Sequence, residues 1–573
     1  MLSVIFIWLY MAVTAFLLGY GILTGLSAFG SYRVKRWDGY VMCGLAGAAV
    51  YAQFFSIFAP VGFAANLLLI VICLMIVFLC RKMLREDWEQ FGFYRKWAEA
   101  DGAFRERILV KVFFLFLLLL LYAYGASRGI LHYDTALYHA QSIRWIEEYG
   151  IVKGLGNLHC RLAYNSASFA LSALYSMAFL GGQSYHCAAG FLAFVVALVC
   201  AELGNVIGRK KLRPSDFGKV ACVYYLLMIY DEMISPASDY FMVLTAFYLV
   251  IRWMGLMEQK EKAVFPYAML CVLGVFLMTV KLSAALIILL VCRPAAALLQ
   301  KKRWKEIGVY IGLGILTSAP YLIRNVLLSG WLVYPFTGLD LFRVDWKIPE
   351  GIAAYDAKEI QVWGRGYSDV TKFDMPIGEW LPAWFRGLGG TDKLFVLAAM
   401  LSVVVCIVRF VLWLVQRKKE RSGKLLLEGV VSLCFLFWLF SSPLIRYGCV
   451  YVYLTTAVVW GNVCTEFFES ARLIGWKAGQ YAERACMLLI GLFLVYKAAA
   501  FGKEVCTSYV NDYWLYQKDY DNYAVRDYEI DGVIFYCPVE GDQVGYDSFP
   551  SSPVEAQIRL RGDNIRDGFR YAE

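Results

Sequence analysis

Charged residues are scarce in this chain of 573 residues. Asp, Glu, Lys and Arg make up only 18% of it, whereas 60% of the residues are hydrophobic. The mean hydropathy is +0.56. This composition excludes an ordinary soluble domain and is typical of a polytopic membrane protein. The net charge of +9 is spread over many loops, so it gives no support to nucleic-acid binding.

Histidines and paired cysteines are scarce as well. The 16 cysteines lie mostly inside apolar runs, where cysteine behaves as a small hydrophobic residue, and no Cys-x-x-Cys pair is present. The four histidines lack a regular metal-ligand spacing, so we predict no zinc site. Cys506 and Cys537 lie in the polar C-terminal tail and are candidates for a disulfide if that tail is outside the cell.

Long apolar runs occupy most of the chain and predict about fourteen transmembrane helices. They lie at about 3–27, 39–61, 63–80, 110–125, 186–207, 218–235, 240–257, 264–280, 283–299, 307–326, 393–416, 425–442, 447–468 and 485–501. The run 166–182 is apolar but too short to cross a bilayer, so we expect it to lie at the membrane interface.

The basic residues indicate the orientation of these helices. They cluster at 33–36, 81–111, 209–213, 301–305 and 417–424. The positive-inside rule places all of these clusters in the cytoplasm only if 166–182 does not cross. Both termini and the polar stretch 126–165 then face the outside.

The predicted fold is therefore an all-α polytopic protein of the plasma membrane, with outer juxtamembrane helices and a small α/β outer tail. We divide it into three parts. Residues 1–108 form a three-span module with a cytoplasmic loop. Residues 109–501 form the main transmembrane domain, with outer loops 126–185 and 327–392. Residues 502–573 form an extracytoplasmic module, since GVIFYC and the turn residues around it predict short strands.

The stretch 126–165 is the main candidate for a functional site, because it is a polar and aromatic segment between strongly apolar runs. Helical spacing would place Asp134, Tyr138, Gln141 and Trp145 on one face. A carboxylate beside aromatic rings and an amide is suited to binding a sugar. Three glycines follow, at 150, 154 and 156, and would let the backbone approach a ligand. The alternative interpretation is a helix that only packs on its neighbours.

Four further ionisable residues lie at the predicted outer edge of the membrane. They are Asp239, Lys281, Arg324 and Arg446. Charges at such a depth are costly and usually face a cavity, a partner or a pathway. Together with Asp134 they provide two carboxylates and three cations, a set suited to a phosphate-bearing lipid and a hydroxyl acceptor. The alternative is that each is a separate anchor whose charged end reaches the headgroups.

In the order and context of these residues, the chain resembles the GT-C class of membrane glycosyltransferases, which use polyprenyl-phosphate sugars. The matching segments are HYDTALYH with Asp134, SPASDYF with Asp239, TVKLS with Lys281 and PLIRYG with Arg446. The pattern YDTxLYHxQ, the segment YLIRN and the tail LRGDNIRDGFR also resemble an uncharacterised family of bacterial polytopic membrane proteins. The likeness to the GT-C class covers about residues 110–450.

The resemblance implies an inverting sugar transfer to a glycan, lipid or protein of the cell envelope. Asp134 would be the base, and Asp239 would orient the acceptor or share a divalent metal with Asp134. We favour a mechanism without a metal, because Lys281, Arg324 and Arg446 suffice to neutralise the leaving phosphate. The remaining predicted substrate contacts are Tyr138, His139, Gln141, Trp145, Asn157, Arg161, Asn165 and Asn325.

Two other functions fit the same sequence. A transporter or flippase of an envelope lipid or glycan would also need charges around a cavity in the membrane. A polymerase or ligase of surface polysaccharide would also have many spans and arginines at its outer edge. A carboxylate in the first long outer loop favours the enzyme, whereas transport favours charges deep in several spans.

Overall fold

The computed structural model describes residues 1–30, 32–91, 102–416 and 422–572, and they are mostly α-helical. The α-helices of eight or more residues are α1 Leu2–Gly30, α2 Trp37–Ser56, α3 Phe63–Phe91, α4 Gly102–Gly125, α5 Ala140–Glu148, α6 Ala167–Tyr175, α7 Ala188–Cys200, α8 Pro214–Met228, α9 Ser238–Glu258, α10 Val264–Val280, α11 Cys292–Gln300, α12 Trp304–Ser329, α13 Glu350–Gly364, α14 Ile377–Gly387, α15 Gly390–Gln416, α16 Ser422–Ser441, α17 Ile445–Leu473 and α18 Lys477–Thr507.

Ten helical segments of the described ranges are long and apolar enough to cross a membrane. They are Leu2–Ser27, Phe63–Glu89, Ala188–Arg209, Ser238–Glu258, Leu282–Gln300, Trp304–Ser329, Gly390–Val415, Ser422–Ser441, Ile445–Leu473 and Lys477–Thr507. The chain is therefore an all-α polytopic membrane protein. The other four predicted spans are also helical, in α2, α4, α8 and α10, but they are not among these ten.

The first part of the short run 166–182 is enclosed by protein, whereas Leu180 near its end is 73% exposed. Helix α6 spans Ala167–Tyr175, and all nine of its residues are buried. It packs against α2 and α5, because its alanine and serine side chains allow close approach of the neighbouring backbones. The expected helix is therefore present, but it does not expose a lipid-facing side.

The C-terminal tail contains the strands of the described residues. Strands β1 Val525–Ile530 and β2 Val533–Pro538 form an antiparallel hairpin. Asp531 and Gly532 both have positive φ at its turn, as a two-residue hairpin loop requires. Strands β3 Ile558–Leu560 and β4 Phe569–Tyr571 form a second antiparallel pair. Cys506 and Cys537 are both free thiols, so the candidate disulfide is not formed.

The tail packs directly on the polar stretch that follows α4. A separate hydrophobic core joins Trp145, Leu155 and Leu158 to Phe535 and Phe569. Residues more than 350 positions apart in the sequence thus share one core, which fixes the tail against the segment that carries Asp134.

Candidate active site

Asp134 immediately precedes a short π-helix. Residues Thr135–His139 form this π-helical turn, in which the backbone N–H of Ala140 bonds to the carbonyl of Thr135, and α5 continues from it. Single π-helical turns are rare and are often found at functional sites. The wider turn changes the spacing of side chains around the axis, so the regular face predicted for Asp134, Tyr138, Gln141 and Trp145 is not formed.

Four of the predicted residues meet in one place, which we call the ion cluster: Asp134, Asp239, Lys281 and Arg446. The Nη2 atom of Arg446 lies 2.8 Å from Oδ2 of Asp134, and its Nε lies 3.7 Å from Oδ2 of Asp239. Lys281 forms an ion pair with the other oxygen of Asp239. The charges therefore alternate in sign along a row, with the Arg446 guanidinium between the two carboxylates.

Helix ends place three members of the ion cluster. Asp239 lies in the first turn of α9, where the helix dipole favours an anion, and Lys281 caps the C-terminal end of α10, where it favours a cation. Arg446 lies in the first turn of α17. The hydroxyls of Thr135 and Ser235 are 2.8 Å apart and connect the segment with Asp134 to the segment before Asp239.

A glycine allows the helix with Arg446 to bend. Gly448 has non-helical backbone angles inside α17. A Cβ atom at this position would lie only 2.2 Å from Cδ1 of Trp438, so a larger residue would push the two helices apart. The first turn of α17, with Arg446 and Tyr447, therefore leaves the direction of the rest of the helix and reaches the two carboxylates.

His132 also contacts Asp134. Its Nδ1 accepts a hydrogen bond from the Asp134 backbone N–H at 3.0 Å and lies 3.6 Å from Oδ2 of the same residue. Burial, followed by the nearby Arg446, lowers the pKa of His132. The imidazole is therefore neutral at physiological pH, as an acceptor at Nδ1 must be. Burial also lowers the pKa of His139, to about 3.

Asp134 itself is held in its ionised form. Burial alone would raise the pKa of this carboxyl, but His139, Arg446, His132 and Arg161 together lower it below its usual value. Its side chain is 17% exposed, so a small molecule can still reach it. The result is a reachable carboxylate that carries no proton at neutral pH.

A cleft of about 680 Å³ lies beside the ion cluster. It is lined by Arg365, Tyr367, Trp384, Leu388, Ile445 and Arg446. Most of this wall comes from the predicted outer loop 327–392, which includes the amphipathic helix α14. Because Arg446 belongs to both the cleft and the ion cluster, a ligand in the cleft would contact the same guanidinium that holds Asp134.

Arg324 belongs to a second, separate group of polar residues. Its Nε donates to Oδ1 of Asn165 at 3.0 Å, and the Asn165 amide donates to Oδ1 of Asn325 at 3.0 Å. Arg324 also donates to the hydroxyl of Ser56. It is 3% exposed and makes no ion pair within the described ranges. These three predicted substrate contacts therefore connect α12 to α2 and to the segment before α6.

Gln141 and Trp145 face the tail. The Gln141 amide donates to the carbonyls of Gly545 and Ser548, at 2.9 Å each. The Trp145 ring packs against the rings of Phe549 and Phe569, at centroid distances of 4.7 and 5.9 Å. Neither side chain is placed to hold a sugar beside Asp134, because the π-helical turn directs both of them toward the tail.

One of the three glycines after α5, Gly154, also packs against the tail, whereas Gly150 approaches the Ser56 and Ala59 carbonyls and Gly156 approaches Ile348. Gly154 has φ of +67°, and a Cβ atom there would lie 2.1 Å from the Phe569 carbonyl. The close backbone approach expected at this position is therefore made to the tail. Asn157 supports it by donating to the Trp346 carbonyl at 2.9 Å.

Three more predicted residues lie close to Asp134. Tyr138 is half-buried, and its ring meets the rings of His139 and Tyr164 at centroid distances of 4.4 and 5.7 Å. The guanidinium of Arg161 lies 4.7 Å from the Trp363 ring centroid and 3.8 Å from a Glu359 oxygen. Arg161 also helps to lower the pKa of Asp134, so it adds positive charge near the cluster.

Sequence reasoning did not predict two residues that lie beside the ion cluster. His132 was considered only as a metal ligand, and Tyr447, whose ring centroid lies 4.1 Å from Nζ of Lys281, was not considered. Their nearness to Asp134 and Arg446 in the sequence was the available signal. Within the described ranges, no group of three or more His, Cys, Asp or Glu side chains is arranged to hold a metal ion.

The fold and the ion cluster define a polytopic α-helical membrane protein with a charged centre where several of its helices begin or end. Residues 1–453 match a family described as a domain of unknown function, DUF8201, and the chain belongs to that family. The match includes all four residues of the ion cluster. No curated protein and no solved structure matches the chain.

Proposed function

We propose that this protein is a membrane glycosyltransferase that moves a sugar from a polyprenyl-phosphate donor to a cell-envelope acceptor at the outer face of the plasma membrane. The proposal includes about fourteen membrane crossings, with the ion cluster and the tail outside. It rests on one observation: Asp134, Asp239, Lys281 and Arg446, which are far apart in the sequence, lie in one row beside an open cleft.

The chemistry assigned to this row is an inverting displacement. Asp134 takes the proton of the acceptor hydroxyl as its oxygen attacks the anomeric carbon. The bond between that carbon and the phosphate oxygen breaks, and the electron pair leaves with the lipid phosphate. Arg446 and Lys281 stabilise the charge that develops on the phosphate. Asp239 holds the two cations in place, and no step requires a metal.

The ion pair of Asp134 with Arg446 implies that donor binding precedes activation of the base. In the free protein Arg446 keeps the Asp134 carboxylate ionised and therefore weakly basic. A lipid phosphate that enters the cleft competes for the same guanidinium. As Arg446 turns toward the phosphate, one of the groups that lower the pKa of Asp134 is withdrawn, and this pKa rises toward the value that burial favours. The base thus becomes stronger only when the donor is bound.

The direct test is the substitution Asp134→Asn. It preserves the size of the side chain but removes its ability to accept the hydroxyl proton. We expect sugar transfer to fall by about 10²–10⁴-fold in membranes supplied with polyprenyl-phosphate sugars, at an unchanged protein level. The matched control is Asp374→Asn, an exposed position of the 327–392 loop, which should transfer at the wild-type rate.

Transfer near the wild-type rate in Asp134→Asn would contradict the proposal. In that case the substitution Asp239→Asn and a transport assay in proteoliposomes would test the transporter alternative, because transport requires no proton acceptor at Asp134.

A further inference from the structure

A deep crevice opens at the opposite end of the helix bundle from the ion cluster. It has a volume of about 560 Å³ and lies between α1, α2, α9, α10 and α12. Asp239 lies in the first turn of α9 and Arg252, at the crevice, lies 13 residues later, so a helical rise of about 1.5 Å per residue separates them by about 20 Å. The two sites therefore belong to opposite halves of the membrane.

The walls of the crevice are apolar and face the region of the lipid tails. They are formed by side chains such as Ile22, Phe29, Leu270 and Leu316. Phe29 and Leu316 are 59% and 64% exposed, so this side of the crevice is open where the helices would meet lipid. Glycines leave part of the space free: a Cβ atom at Gly25 would meet no heavy atom within 4 Å.

One end of the crevice is positively charged. Its charged lining residues are the cations Lys35, Arg36 and Arg252 and the anion Asp38. Arg252 and Arg36 lie 2.7 and 3.1 Å from Asp38, which is buried. Both arginines also form ion pairs with Glu202, which does not line the crevice, at 3.2 and 2.6 Å. Lys35 is exposed and makes no ion pair with any residue of the described ranges. Among the charged lining residues, Lys35 is therefore the cation whose charge is not neutralised by any residue in the described part of the chain.

We propose that this crevice binds an anionic phospholipid, with an acyl chain along the apolar walls and the phosphate at Lys35. An apolar slot that ends in a cationic group matches the two chemical parts of such a lipid. By the positive-inside rule this end faces the cytoplasm, where the basic segment 33–36 would meet the lipid headgroups. The inference is independent of sugar transfer.

Native mass spectrometry of the full chain, released from nanodiscs with equal amounts of phosphatidylglycerol and phosphatidylcholine, tests the headgroup. We expect the wild type to retain phosphatidylglycerol preferentially. Lys35→Glu should lower that preference by at least about fivefold, the effect of one basic residue at a membrane surface. Lys305→Glu makes the same charge change at an exposed position that does not line the crevice, and it should keep the preference.

The role of the apolar walls in lipid binding is tested by a substitution that fills the crevice. Gly25→Trp should lower the retention of both lipids, whereas Gly312→Trp, on an exposed position of α12 that does not line the crevice, should not. Equal losses in Lys35→Glu and Lys305→Glu would overturn the proposal, and so would wild-type retention in a folded Gly25→Trp variant. If Gly25→Trp does not fold, the two lysine variants decide alone.

Discussion

Arg446 is the residue on which the arrangement of the ion cluster depends, because its guanidinium contacts both carboxylates. Asp134 is mostly buried, and without Arg446 it would have an unfavourable environment for its charge. A lysine would not replace this arginine well, since an ammonium group cannot present the planar fork that reaches two acceptors.

Arg446→Gln should destabilise the protein in a pH-dependent way. The lowered pKa of Asp134 contributes stability above the pKa of the unfolded chain, and this contribution is lost as the pH falls through the still lower folded value. At pH 7 we expect a loss of up to about 3 kcal/mol. The difference from the wild type should shrink as the pH falls below about 4, the ordinary range of an Asp carboxyl.

Thermal unfolding in detergent, measured across this pH range, provides the comparison. As a control, Arg386→Gln removes an exposed arginine from the predicted outer loop 327–392. This variant should unfold like the wild type at every pH. A loss in Arg446→Gln that stays constant as the pH falls would show that Asp134 is not the partner that matters.

Among the structural elements, the π-helical turn and the tail segment 542–549 act as a unit. The Ala136 carbonyl accepts the backbone N–H groups of Val544 and Gly545, at 3.0 and 2.9 Å. Arg144 donates to the carbonyls of Tyr546 and Asp547, at 2.7 and 2.8 Å. The tail therefore holds the segment that carries Asp134 in position without contributing to the ion cluster itself.

Gln141→Leu should loosen this unit. It leaves the buried carbonyl of Gly545 and the partly buried carbonyl of Ser548 without their donor, at a cost of about 1–3 kcal/mol. We expect faster proteolytic cleavage within 540–550 and a lower rate of sugar transfer, with the ion-cluster residues intact. Gln557→Leu, at an exposed position of the tail, is the control. Wild-type cleavage in Gln141→Leu would mean that the amide does not secure the tail.

The sequence was informative about elements and less so about contacts. Apolar runs predicted the positions of the helices. Asp239, Lys281 and Arg446 were predicted at the same membrane edge, so contacts among them could be anticipated. The π-helical turn could not be anticipated, since a single widened turn has no composition signal. Nor could Gln141 be assigned to carbonyls some 400 positions away, because hydrogen bonds to backbone leave no trace in the partner's side chains.

At the scale of the whole molecule, the proposed orientation is open to a simple measurement. Val539→Cys places a thiol on an exposed tail position, and Lys210→Cys places one on an exposed position of a basic loop. In intact cells, a membrane-impermeant maleimide should label the first and not the second, in a background where the exposed Cys292 and Cys506 are serine. Labelling of both positions after permeabilisation is the control. The reverse pattern would place the ion cluster on the cytoplasmic side.

The contact between the tail segment and the π-helical turn can form only late in the synthesis of residues 134–549. The ribosome reaches residue 542 some 400 residues after Asp134, and at about 5–20 residues per second this interval lasts roughly 20 to 80 seconds. Throughout that time the membrane helices can already assemble, but the carbonyl of Ala136 and the amide of Gln141 lack their partners. In a growing chain the segment that carries Asp134 is thus secured only after residues 542–549 have been synthesised.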